Sequence, residues 1–544
     1  MPLKKNDEIR LKIESVSSLG SGVGHYGEMA VFVSNTAAGD DIIAHVIKVK
    51  KTYAVAKIKK ILSPSKDRAP QGCESFERCG GCAYRHITYE AEKKIKYNKV
   101  KDALNRIGHI DIDPCEIIGA EATERYRNKA QYPVSLSKDG DVVIGFYSPK
   151  SHRVTNSADC LLQPEQFSAI LNCIRSWILT SGVTIYNEVS GAGALRHIYI
   201  RRAYHTGETM VCLVINSRSV PKKQALVSSL LETDQSIKSI LLNINEEKTN
   251  VILGRECVHL FGDGYITDTL CGRKIRISPL SFYQVNTAQT EVLYAKAREY
   301  ACLTGSETLL DLYCGAGTIG LSMSDSVKTL IGVEVIPEAI EDAKINAELN
   351  SVTNAQFICD DAKGAARTLF ERNIHPDVVI LDPPRKGCSR EVLETVSQMN
   401  PDRIVYVSCD PATLARDCEI LENLGYELKE VTPVDLFPRT VHVETVVLLV
   451  RKNPDTHIDF EISLDEFDLT SAESKATYQE IKDYVFDKFG LKVSSLYISQ
   501  VKAKCGIIER ENYNKPKSVN TKQPQCPKEK EEAILDALRH FKMI

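Results

Sequence analysis

The chain has 544 residues, 43% of them apolar and 26% charged, with a formal net charge of −3. That is the composition of an ordinary soluble protein with several domains, too long for one. No apolar run approaches the length of a membrane span, and the start lacks the apolar core of a signal peptide, so a cytoplasmic protein with no membrane partner is expected.

Seventeen cysteines without a secretion signal point to metal binding, catalysis or core packing rather than disulfides. The net charge gives no sign of a nucleic-acid partner, but charge is unevenly placed. Residues 1–60 carry ten Lys and Arg against six Asp and Glu. Local basic patches are what a phosphate backbone feels, although solvated surface charge explains any single patch equally well.

Residues 8–62 alternate apolar and polar in short runs: Ile9–Ile13, Ala30–Val33, Ile42–Val46 and Ala54–Ile58. Glycines punctuate them, the pattern of a small β-barrel. Gly20-Ser21-Gly22-Val23-Gly24-His25-Tyr26-Gly27 resembles the TRAM domain, an OB-like RNA-binding module. After a linker at Ser63–Lys66 come a cysteine cluster and a helical run from about Tyr89 to Ile107. Residues 120–275 mix strands and helices. From about Ser278 to Arg451 strand and helix alternate, the doubly wound α/β signature.

The expected architecture is multidomain α/β. A TRAM-type barrel spans 1–62. A central α+β domain carrying a metal cluster spans 63–277. A class I, Rossmann-like domain spans 278–453, and a small helical extension of unknown role spans 454–544. In that extension Tyr478, Ile481, Val485 and Phe489 fall at helical spacing, as do Ile534, Leu535, Leu538 and Phe541. An acidic stretch precedes these helices, and Asn514–Lys528 is basic and loose.

The strand Thr308–Cys314 runs into Gly315-Ala316-Gly317-Thr318-Ile319-Gly320. Gly315 and Gly317 let the backbone turn tightly beside a ligand at a helix start. Glu334, at the end of the next strand, is placed to accept both hydroxyls of an adenosine ribose. Alone, this fits a nicotinamide dehydrogenase as well as a methyltransferase. The following strands decide between them. One ends in Cys359-Asp360-Asp361, with carboxylates placed for an adenine. Another ends in Asp382-Pro383-Pro384-Arg385, a carboxylate and a rigid turn at the sheet edge where ligands bind. Methyltransferases acting on bases commonly have that element, and dehydrogenases do not need it.

The strand Arg403–Ser408 delivers Cys409 to the same edge. A helix starts just beyond, so its N-terminus and Arg385 are expected to favour thiolate, with Asp410 opposing. Carbon 5 of uracil is a poor nucleophile until a thiolate adds at carbon 6. A base must then remove the carbon 5 proton. Glu444, where an apolar strand begins, is the candidate base, and His442 competes. A buried core cysteine is the plain alternative for Cys409, and a surface carboxylate is that for Glu444.

Ser408–Asp417, Leu381–Gly387 and His442-Val443-Glu444-Thr445 resemble the signatures of the RNA uracil-5-methyltransferase family. With the TRAM-like start and the cysteines, residues 1–452 look like its bacterial 23S rRNA branch. The resemblance implies S-adenosylmethionine as cofactor, Cys409 as nucleophile and Glu444 as base. It implies cofactor contacts from Gln284, Tyr313, Glu334, Asp361 and Asp382. Phe282 and Arg385 are the substrate candidates, Phe282 by stacking on a base. Thr318 stands where some members carry a side-chain amide.

Cys73, Cys79 and Cys82 lie in one short loop with Gly80-Gly81. Their spacing suits a structural zinc, with His86 close by, or an iron–sulfur cluster, about equally. The resemblance favours a [4Fe-4S] cluster with Cys160 as fourth ligand, holding a fold or an RNA surface rather than serving redox chemistry. The expected function is 5-methyluridine formation in a loop or bulge of 23S rRNA by a monomer. The rivals are the same reaction on tRNA, methylation of an exocyclic amine, and a non-catalytic iron–sulfur RNA-binding protein.

Overall fold

The computed structural model describes residues 3–157, 159–452, 478–505, 526–541 and 543. The chain divides into two compact units, Met1–Asn453 and Pro454–Ile544. Among the described residues no helix is long and apolar enough to cross a membrane.

The N-terminal sheet has six strands: Glu8–Lys12, Ser15–Val16, Gly22–Tyr26, Met29–Val33, Asp41–Val49 and Tyr53–Ser63. Its alternating inward residues, among them Ile9, Leu11, Val31, Val33, Ile42 and Ala54, form one apolar core, as period-2 patterning requires. The strand Gly22–Tyr26 lies in the glycine-punctuated stretch. Its glycines are there for contact: a Cβ on Gly22 would strike Thr36 and one on Gly24 the carbonyl of Lys12.

The middle of the chain forms a seven-stranded mixed sheet over residues 129–261. Helices Gln166–Ser181 and Lys223–Thr233 cover one face and share a core with it. Residues of the other face, including Tyr199, Cys212 and Leu241, join the core of the third region.

That third region holds a second seven-stranded sheet. Across it the strands run Ala355–Cys359, Thr329–Glu334, Thr308–Leu312, Val378–Leu381, Arg403–Ser408, Glu444–Arg451 and Tyr426–Val434. The first five are parallel and Glu444–Arg451 is antiparallel to both its neighbours. Chain order reverses between Thr308–Leu312 and Val378–Leu381. In such sheets ligands bind at that switch point, beyond the strands' carboxyl ends. Apolar cores lie on both faces.

The segment 63–277 does not fold as one body. Val100, Ala103 and Leu104 of helix Tyr89–Arg106 pack in the core of the third region, with Leu414 and Cys418 of helix Pro411–Asn423. Ile118 pairs in parallel with Val434 at the edge of that sheet. Sequence order hides this because about three hundred residues separate the helix from Leu414 and Cys418.

The C-terminal unit contains helices Tyr478–Phe489, Ser495–Lys504 and Lys528–His540 around Ile481, Val485, Ile498, Val501, Ile534 and Leu538. Two match the periodicity in the sequence, and the middle one was not foreseen. The acidic stretch at 455–473 and most of the basic segment 514–528 lie outside the described residues.

Candidate active site

The glycine turn opens the cofactor edge. Tyr313 adopts φ +69°, Gly315 φ +55° and Gly317 φ +78°. A Cβ on Gly315 would meet nothing within 4 Å, whereas one on Gly317 would press on Leu321, Phe357 and Ala343. Gly315 therefore leaves room for a ligand, and Gly317 permits packing. The Gly315 N–H donates to Glu334 Oε2 at 3.2 Å, and the amides of Val335 and Ile336 donate to Oε1. These bonds fix the carboxylate before any ligand arrives. Behind the turn, burial raises Asp311 to about 8, and its carboxyl accepts the Gly320 N–H at 3.0 Å.

Asp361 is exposed and uses Oδ1 to cap helix Ala362–Glu371, accepting from Lys363 and Gly364. Thr318 accepts or donates to Tyr294 at 2.9 Å, which occupies its hydroxyl. The loop Ser278–Asn286 is pinned by Ser281 to Asp342 and by Tyr283 to Asp268. Gln284 lies half-buried in that loop, its carbonyl held by Asn128. Phe282 stands out at 65% exposure.

Strand register assembles the rest. Leu312 pairs with Leu381 and Leu381 with Tyr406, so Tyr313, Asp382 and Cys409 emerge along one edge. Ser408 pairs with Thr445 in antiparallel register, which brings Cys409 opposite Glu444. Glu444 is 4% exposed, not a surface carboxylate. Burial first, then the charge of Asp382, raises it to about 8, while Arg385 pulls it down. Burial alone raises Asp382 to about 7.

At Cys409 the balance left open by the sequence falls on the side of the thiol. The helix N-terminus does not favour its thiolate, because Asp410 caps that helix and takes the amides of Ala412 and Thr413. Burial, then Glu444 and Asp382, push the thiol up to about 11, with Arg385 opposing. His442 falls to about 4 through burial and the nearby cations Arg385, Lys99, Arg127 and Lys96. So weak an acceptor is a poor rival to Glu444.

The motif residues around these groups form a clamp that was not foreseen. Arg416 donates to the carbonyls of Lys386 and Cys388, Asp417 accepts from the Cys388 N–H and Tyr406, and Thr413 bonds the Arg385 carbonyl. The Asp-Pro-Pro loop is thus fastened to the helix after Cys409. Gly387, at φ +73°, is required there: a Cβ would lie 2.5 Å from Arg416 and Asp417.

A second buried network holds the loop Asp435–Val443 that leads into Glu444. Lys96 donates to Glu92, Asp435 and the Phe437 carbonyl at 2.7, 2.7 and 3.0 Å. Tyr89 donates to Asp435, and Arg439, at φ +69°, donates its N–H to Glu92. The Arg439 carbonyl accepts the N–H groups of Ala83 and Tyr84, next to Cys82. The cysteine loop therefore grips the loop that leads into Glu444. Lys99 also reaches this region, donating to the Val441 carbonyl at 3.0 Å. The only advance sign of Lys96 and Lys99 was their place on a helix with few apolar residues.

Cys73, Cys79, Cys82 and Cys160 all line one cavity of about 80 Å³. Arg85 and Arg127 line it too, and Arg85 Nε and Nη2 and Arg127 Nε are buried without a hydrogen-bond partner. Four thiols facing unpartnered cationic donors suit a sulfur-rich anionic centre. Among the described residues no three His, Cys, Asp or Glu side chains close on a single ion. His86 is not in this cavity. Its Nε2 bonds the Thr36 carbonyl at 3.1 Å, and its place outside the cavity lined by the four cysteines argues against it as their fellow ligand.

Comparison with known proteins agrees with this geometry. Residues 2–59 match the TRAM domain and residues 259–452 match the tRNA (Uracil-5-)-methyltransferase model. An uncharacterized RNA methyltransferase of Clostridium tetani is 44% identical over 82% of this chain and 97% of its own length. One from Halalkalibacterium halodurans is 42% identical, over 83% and 99%. The chain belongs to the RNA uracil-5-methyltransferase family. Among solved structures, a Pyrococcus abyssi tRNA (uracil-54, C5)-methyltransferase in complex with S-adenosyl-L-homocysteine aligns with TM-score 0.67 and 27% identity, over 81% of this chain and 99% of that one. The family acts on RNA with S-adenosylmethionine, and this chain carries both the TRAM module and the methyltransferase sheet. The matches to both family models end by Lys452, so the C-terminal unit stands outside them.

Proposed function

We propose that this methyltransferase converts a uridine of 23S rRNA to 5-methyluridine through a covalent Cys409 adduct. The observation that carries it is the register that sets Cys409 opposite Glu444, with Asp382 on the neighbouring strand. S-adenosylmethionine supplies the methyl group. Cys409, once deprotonated, adds to carbon 6 and turns the ring into an enolate nucleophilic at carbon 5. After carbon 5 takes the methyl, Glu444 removes its proton, the ring double bond re-forms, and the Cys409 sulfur leaves. A carboxyl raised to about 8 is matched to that task near neutral pH. Arg385 is the cation that opposes the thiol's protonation.

Glu334 would hold the ribose and Asp361 the adenine, through the oxygen left free by its cap. Gln284 and Tyr313 line the methionine end, and Phe282 stacks on a base of the RNA. Cys73, Cys79, Cys82 and Cys160 would hold a [4Fe-4S] cluster, whose service is to fasten the loop that grips Arg439. The target sits in a loop or bulge, where extruding a base costs least.

The same chemistry on tRNA is the second reading, favoured by the likeness to the Pyrococcus tRNA enzyme. The test is nucleoside mass spectrometry of unmodified 23S rRNA and tRNA incubated with S-adenosylmethionine and either wild type or Cys409→Ala. New 5-methyluridine in 23S rRNA, absent with the variant, is expected. Its appearance only in tRNA would move the assignment there. A methylated base formed equally by the variant would end the adduct mechanism.

A further inference from the structure

Among the described residues, Lys129 and Arg201 near the site have no counter-charge. Lys129 and Arg201 are direct cross-strand partners in the central sheet, so their side chains leave the same face. Arg201 is 1% exposed. One of its nitrogens donates to the Ser281 carbonyl at 3.0 Å, and the other two, Nε and Nη2, are buried with no partner. Arg127 lies close by, and the charges that bear on Lys129 are those of Arg201 and Arg127. With burial they push its ammonium down to about 7. Crowded like charges, Arg201 buried and Lys129 and Arg127 half-buried, are costly without an anion and persist where a ligand supplies it.

Their position names the ligand. Arg201 holds the carbonyl of Ser281, the residue before the exposed ring of Phe282. Arg127 is among the charges felt by His442, two residues from Glu444. The row thus spans from the catalytic edge to the Phe282 loop. A strand that delivers a base between these points brings its phosphates past the three cations. Guanidinium forks and an ammonium are the groups that bind phosphate. Arg127 also faces the cysteine cavity, but Lys129 and Arg201 do not line it, so the cysteine centre does not account for them.

We propose that Arg127, Lys129 and Arg201 form a subsite for a backbone phosphate of the RNA strand next to the target base. The identity of the ligand rests on the RNA-methylation reading; the demand for an anion rests on the three cations alone.

The test uses the full-length holoenzyme and a ten-nucleotide oligouridylate, followed by fluorescence anisotropy across salt concentrations. Lys129→Met keeps the aliphatic stem and removes the charge. It should weaken binding about tenfold near 0.1 M salt and lower the slope of log K against log salt by about 0.7. Lys129→Arg should restore both, and S-adenosylhomocysteine binding should stay unchanged in each. In the RNA that the enzyme methylates, a methylphosphonate at the linkage beside the target should cost wild type as much as the mutation does. It should cost Lys129→Met nothing more. Wild-type affinity and salt slope in Lys129→Met would overturn the subsite while leaving methylation untouched. Lys129-dependent oligouridylate binding by an enzyme that methylates neither RNA would instead retain the subsite and sink the functional reading.

Discussion

Two sets of cysteines in one chain share burial and differ in the charges beside them. Burial first, then Glu444, Asp382 and Asp410, raise the Cys409 thiol, and Arg385 opposes them. In the 73–160 cavity burial raises Cys79, Cys82 and Cys160 as well, the last to about 11, but Arg85 and Arg127 oppose it at Cys82. The difference teaches what each thiol is for. A permanent ligand is best kept as thiolate by fixed cations. A nucleophile that must also leave is held as thiol until substrate and cofactor change the local charge. The two regions are nonetheless joined, because Ala83 and Tyr84 beside Cys82 hold the Arg439 carbonyl on the loop leading to Glu444.

The largest break in this comparison is chemical. Cys409→Ala should lower 5-methyluridine formation by roughly 10⁴-fold or more, with iron content unchanged. Glu444→Gln should instead stall with RNA attached, seen as an SDS-stable protein–RNA band, since methylated carbon 5 keeps its proton. Absence of that band would remove Glu444 from the base role. Next is the join itself. Lys96→Met leaves Glu92 and Asp435 buried without their shared cation. It should cost about 3–5 kcal/mol in denaturant unfolding. A loss under 1 kcal/mol would mean that the network does not hold the loop.

The reverse experiment starts at the cavity. Cys82→Ser should lose iron and reduce methylation on the order of 10²-fold through displaced geometry. Hydrogen exchange should speed up at residues 435–443. Full activity without iron would uncouple the two regions.

The smallest effect is on pH. Glu444 is raised, so it keeps its proton until pH passes about 8. The base form, and with it kcat/KM for RNA, should therefore rise from pH 6 toward 8, by up to about tenfold per unit. Arg385 lowers both Glu444 and Cys409, so Arg385→Gln should move that rise to higher pH. A pH profile that does not move would show that Arg385 does not tune the pair.

Much of the fold could be read from patterns with short range. Period-2 runs marked four of the barrel strands, and the turn Gly315–Gly320 marked the cofactor helix. Asp382-Pro383-Pro384 and Ser408-Cys409-Asp410-Pro411 marked two strand ends. The strand Gly22–Tyr26 hid behind its glycines, which usually punctuate and here allow close packing against Thr36 and Lys12. His86 looked like a ligand by nearness in sequence, but it does not line the cavity that the four cysteines share. The pKa of Cys409 was left open by the sequence, because burial and a capping Asp410 cannot be weighed against Arg385 from residue spacing.

The sequence by itself pointed to the family, the TRAM module and the methyltransferase sheet, and named the residues proposed to carry chemistry, because those depend on local spacing along a strand and its turn. Only the tertiary structure decided which of them meet. The antiparallel return of Glu444–Arg451 pairs Glu444 with Cys409 across 35 residues of chain. Helix Tyr89–Arg106 reaches Asp435 over more than three hundred, and Lys129 finds Arg201 through sheet register. Each of these contacts depends on which strands pair and which faces are buried. Those are properties of the packed whole, and local periodicity does not encode them.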